Sequence, residues 1–183
     1  MDHILRNSTR FYILQSWGFN LQYGFEYARL SQDILTANSE DQDPNKFSYL
    51  LTNSYRYQGI TSIYMLTKDA VPCCKKWIEL LVDRIQKYKD PTDIQTLPIS
   101  YNELGIALMA VPSPTEALKA FETCCELLDQ QRKPGKLPFP FAWQHRGTVT
   151  AWAGDPDAGH AILAPILKER EDKLGKDSTE GIE

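Results

Sequence analysis

The chain has 183 residues, 42% of them apolar, and carries 20 Lys and Arg against 24 Asp and Glu, a formal charge of -4. That length supports one continuous core rather than two domains, and charges of both signs interspersed along it leave no electrostatic footprint for nucleic acid. No apolar run reaches membrane-spanning length, and the start, MDHILRNSTRFYILQSWGF, lacks the basic region and unbroken apolar stretch of a secretory signal, so a cytoplasmic protein with no membrane partner is expected.

Apolar residues recur at three- and four-residue spacing almost throughout, which predicts helices and no strands of note. The first two span about Arg6 to Tyr23 and Glu26 to Thr36, and the polar run Ala37 to Lys46 follows, with Pro44 inside it. Phe47 to Thr67 is the third and Ala70 to Tyr88 the fourth, its Pro72 tolerable in the first turn. Lys89 to Leu97, with Pro91, Asp90 and Asp93, reads as a linker. Ile99 to Ala110 and Thr115 to Gln131 form the next two helices, separated by the sharp boundary at Pro112 and Pro114. The proline-rich stretch Lys133 to Pro140 reads as an exposed connection. Phe141 to Ala153 and Asp157 to Lys173 complete the set around the turn Gly154-Asp155-Pro156. A single domain over residues 1–175 and a disordered tail at 176–183 are expected.

The cysteines form two adjacent pairs, Cys73-Cys74 and Cys124-Cys125, unlike the spacing of a zinc or thioredoxin-type site. Neighbours on a helix point about 100° apart, so at most one of each pair should face the core, as a reduced thiol of small volume. No metal site is expected. No phosphate-binding glycine loop, HExxH, GxSxG or calcium loop occurs, so no cofactor is implied.

Four glycines, Gly18, Gly59, Gly105 and Gly147, sit inside helical patterns at intervals of 41, 46 and 42 residues. Glycine within a helix costs about 1 kcal/mol against alanine, so each needs a packing reason. Around Gly105 stand Tyr101, Leu104, Leu108, Ala117, Phe121 and Cys124, and around Gly147 stand Trp143, Gly159, Leu163 and Ile166, with polar Arg146 before that glycine. Tyr55 and Gly59 pair with Ala70, Cys74 and Trp77; Leu14, Trp17, Gly18 and Leu21 pair with Leu30, Ile34 and Ala37. This succession resembles the tetratricopeptide repeat. The intervals exceed its usual 34 residues or so and look like the longer, about 42-residue variety of kinesin light chains and fungal repeat proteins. The closing run KEREDKLGKDSTEG is similar to the end of such fungal units.

The resemblance implies an all-α, tetratricopeptide-like superhelix of about four antiparallel helix pairs, whose first helices line a concave groove. It places in that groove Gln15, Phe19, Tyr23, Asn53, Arg56, Tyr57, Tyr64, Asn102, Glu103, Met109, Gln144, His145 and Trp152. The set is rich in rings and amides, suited to an extended peptide or a compact apolar small molecule. The family's basic clamp for a terminal carboxylate is not reproduced, since Gln15, Phe19, Tyr57, Glu103 and His145 occupy its positions.

The expected function is therefore a protein-interaction module or scaffold. The alternative is a cofactor-free isomerase or cyclase acting on a small molecule in the same groove. There His145 would move a proton, Glu103 would orient it and raise its pKa, and Tyr57 or Arg56 would steady negative charge. Apolar surface in YILQSWGF and ILAPIL suggests pairing of two copies through terminal repeats. The residues do not distinguish a whole protein from part of a longer array.

Overall fold

The computed structural model describes residues 21–37, 43–111, 113–131 and 140–174. Among them are seven helices and no strand: α1 (Leu21–Ala37), α2 (Pro44–Tyr64), α3 (Ala70–Tyr88), α4 (Pro91–Ala110), α5 (Pro114–Gln131), α6 (Pro140–Trp152) and α7 (Pro156–Leu174). Each packs on its neighbour in the chain, and α2 also touches α4, as α4 touches α6. Arg84, near the end of α3, bonds Asn45 at the start of α2 and Asp93 at the start of α4. Both helices thus start at the same end of the stack, and α3 runs against them.

Five of these helices begin on a proline: Pro44, Pro91, Pro114, Pro140 and Pro156. A first helical residue has no use for its N–H, and the ring presets its φ, so proline opens a helix as readily as it breaks one. In three cases an aspartate precedes it and caps the free amides. Asp43 accepts from the Lys46 amide and Asp90 Oδ1 from the Thr92 amide, each at 2.8 Å, and Asp155 Oδ1 accepts from the Ala158 amide at 2.9 Å.

The expected linker Lys89 to Leu97 is mostly helix for this reason, with α4 already under way at Pro91. Its Pro98 lies inside the helix and cannot donate to the carbonyl of Ile94. Gln131 Nε2 donates to that carbonyl instead, at 2.8 Å, so the interior proline leaves no orphan there. Likewise α2 starts at Pro44 rather than Phe47, and it ends at Tyr64 as Leu66 turns into the left-handed region.

The glycines mark close helix crossings. A Cβ on Gly105 would stand 2.6 Å from the buried Phe121 ring, and one on Gly147 2.6 Å from Leu163. Gly159 is tighter in kind, because its Cβ would meet the carbonyl oxygen of Gly147 at 2.7 Å and backbone cannot swing aside. Gly59 faces Cys74 Sγ at 3.1 Å. Gly18 lies outside the described residues, as do Gln15 and Phe19.

Three expectations about packing are corrected. All four cysteines are buried, not one from each pair. A helix in the middle of a stack buries two faces: Cys124 approaches Asn102 on α4, while Cys125 packs beside Ala142 on α6. Near the N-terminus, Tyr23 and the supposed second helix share one continuous α1, which runs through Gly24 without a break. Its buried stripe is Gly24, Ala28, Ser31 and Leu35, rather than Leu30, Ile34 and Ala37; Leu30 is 48% exposed.

Candidate functional site

The chemistry-bearing side chains that the structure brings together come from α2, α4 and α6. Arg56, Glu103 and His145 lie on these three helices at corresponding depth, each half-buried, with Asn102 buried among them. Asn53, Tyr57, Met109 and Gln144 are half-buried on the same helices. Tyr64 and Trp152, near the ends of α2 and α6, are 69% and 49% exposed. Tyr23 is exposed on α1 and does not belong to this row of alternate helices.

Asn102 is the link that the residue pattern did not predict. Its Nδ2 donates to Glu103 Oε1 at 3.4 Å, and its Oδ1 stands 3.0 Å from His145 Nδ1. With the amide so oriented, Nδ1 must carry the ring hydrogen, which leaves Nε2 as an acceptor. Glu103 therefore acts on His145 only through an amide, and the expected rise in the histidine pKa is not found. Burial lowers it instead. The Phe121 ring lies 5.3 Å from the imidazole, centroid to centroid, and supplies part of that apolar surrounding.

Glu103 is shifted the other way. Burial raises its pKa, opposed by the hydrogen bond from Asn102 and by the positive charge of Arg56. The Arg56 guanidinium lies over two rings, 5.6 Å from the centre of Trp77 and 5.9 Å from that of Tyr57. Its Nε is cut off from solvent and has no acceptor among the described residues. Among the described residues Arg56 donates no hydrogen bond and joins no salt bridge.

Burial disfavours the thiolate form of the nearby cysteines. Burial pushes Cys74 and Cys124 up to about 12, with the Glu103 charge adding to the effect in both, and Cys73 and Cys125 up to about 11. All four are neutral at physiological pH. Among the described residues no group of His, Cys, Asp and Glu could hold a metal ion, and no helix is long and apolar enough to cross a membrane.

A second polar cluster lies at the start of α2 and α4. Arg84 and Asp93 form a fully buried ion pair, Nε to Oδ2 at 2.9 Å. Arg84 Nη1 also donates to the backbone oxygen and to Oδ1 of Asn45, each at 3.0 Å, and the guanidinium lies 5.3 Å from the centres of both Tyr49 and Tyr88. Its partners lie 9 and 39 residues away in the chain, so no local spacing announces it. Comparison of the chain with protein-family models, curated proteins and solved structures gives no match.

Proposed function

We propose that the chain is a tetratricopeptide-like module that binds an extended segment of a partner protein across α2, α4 and α6. The observation that carries this reading is the juxtaposition of three alternate helices that carry Arg56, Glu103 and His145 at neighbouring positions, with exposed Tyr64 and Trp152 at the ends of α2 and α6. Besides the Asp93 sealed by Arg84, the three helices carry few charges, namely Lys46, Arg56, Glu103 and Arg146. Rings supply contact area at low entropic cost and amides supply adaptable hydrogen bonds, the mixture that reads a peptide.

The test is selection of phage-displayed random dodecapeptides on the whole chain, followed by affinity measurement with the variants Tyr64→Ala and Trp152→Ala. Exposed aromatic anchors of this kind are worth about 2 kcal/mol or more when they are hot spots, so roughly thirtyfold weaker binding is expected from at least one variant. Peptides that bind both variants as tightly as the wild type would place the binding surface elsewhere.

One observation favours a second reading, acid/base turnover of a small molecule. The Glu103–Asn102–His145 relay fixes the histidine tautomer and leaves Nε2 as a base. This reading requires that His145→Gln abolish turnover of a candidate substrate; an unchanged rate removes His145 from any mechanism.

A further inference from the structure

We infer that Arg56 and Glu103 form a subsite for a neutral amide, the side chain of an Asn or Gln in the bound segment. This rests on the peptide-binding reading above. An arginine offers five N–H donors in a planar fork. Arg56 uses none of them on a described residue, although its guanidinium is fixed over Trp77 and Tyr57 and its Nε is sealed from water. The sealed Nε is out of a ligand's reach, but the Nη groups are not among the buried unpartnered atoms and are engaged by no described residue, so they are the donors that a ligand oxygen would meet.

The choice of ligand follows from Glu103. Its carboxylate feels the Arg56 charge yet, among the described residues, accepts only a long bond, 3.4 Å, from Asn102. A ligand carboxylate would bond the guanidinium but bring a second negative charge into a site that is already half-desolvated, and one arginine would then face two carboxylates. A ligand ammonium would meet Arg56 as a like charge. A carboxamide avoids both conflicts: its oxygen accepts from Arg56, its NH2 donates to Glu103, and the net charge of the site is unchanged.

The experiment begins with the peptides selected on the whole chain and compares a selected sequence with versions carrying Glu or Met in place of its Asn or Gln. The expected result is enrichment of Asn or Gln at one position. Affinity should fall about ten- to hundredfold on replacement by Met, the usual worth of hydrogen bonds to charged groups. The same loss is expected for the unaltered peptide on Arg56→Met, with helix content checked by circular dichroism. On Glu103→Gln the preference for Gln over Glu in the peptide should disappear. Enriched peptides without Asn or Gln, or a Glu version that binds as well as the Gln version, would overturn the subsite while leaving the groove reading intact. No enrichment from the library would overturn both.

Discussion

Arg84 and Arg56 each lie near a carboxylate, and they could hardly be held more differently. Arg84 is sealed between α2, α3 and α4, with Asp93, two oxygens of Asn45 and the rings of Tyr49 and Tyr88 around it. Arg56 also lies against two rings, but no described residue accepts from it and Glu103 is not within ion-pair distance. A charge taken out of water must be matched by its neighbours or it costs the fold. Arg84 meets that condition from within the chain. Arg56 does not, and the unmatched donors are what a binding surface needs and a structural clamp lacks.

The comparison breaks most directly at the sealed pair. Asp93→Ala leaves Arg84 buried without its counterion, so a loss of about 3–5 kcal/mol in unfolding free energy is expected from denaturant melts. A loss below about 1 kcal/mol would show that water reaches the pair and that Arg84 is not the clamp described.

Next in size are the crossings that hold the row in place. Gly159→Ala pushes a methyl into the Gly147 carbonyl and Gly105→Ala pushes one into Phe121, two residues along from Glu103. Each should cost about 1–3 kcal/mol, Gly159→Ala the more because backbone must move. Gly59→Ala meets only Cys74 Sγ at 3.1 Å, and the gain in helix propensity offsets most of its strain. Thermal melts of the three variants should follow that order; equal melting points would remove the glycines from the crossing argument.

Arg56→Met sharpens the contrast from the other side. With no hydrogen bond to a described residue to lose and a ring face still covered by the thioether, its stability should stay within about 1 kcal/mol of the wild type. A loss as large as that of Asp93→Ala would make Arg56 a second clamp.

The smallest effect is a pH dependence. His145 has a lowered pKa in the fold, so the unfolded chain takes up its proton at higher pH than the folded chain does. Stability from this group is full above its ordinary value of 6.5 and falls as the pH drops below it. Glu103, raised by burial, works in the opposite sense: its burial cost is relieved as the pH falls through its raised value toward the ordinary 4.5. The two separate in variants. His145→Phe should flatten the decline just below pH 6.5, and an NMR titration of the wild-type imidazole should give a midpoint below that of a free histidine. A midpoint above it would restore a direct carboxylate partner.

Much of this was legible from residues alone, though not evenly. The all-helical class follows from apolar spacing, and the bounds of α3, Ala70 to Tyr88, are legible in the sequence. The helix starts at Pro44, Pro91, Pro114, Pro140 and Pro156 precede the starts that apolar spacing predicts, since a proline that opens a helix is also the residue that breaks one. The Asp-Pro pairs at 43, 90 and 155 carried the signal that separates the two roles. Arg56, Glu103 and His145 were grouped by their place in the repeat, but the role of Asn102 was not. Which amide intervenes between two charged groups depends on a few tenths of an ångström between helices.

Sequence by itself determined the all-helical class, roughly where most helices end, and where a side chain too large for a crossing had to be a glycine. These are local matters of backbone φ, helical period and volume, decided within a few residues. Only the tertiary structure decided which charges are matched. Arg84 finds Asn45 from 39 residues away and Arg56 finds no acceptor among the described residues, although both guanidinium groups lie over tyrosine rings. Electrostatic matching is a property of neighbours in space, and in a stack of helices most such neighbours come from other turns of the chain.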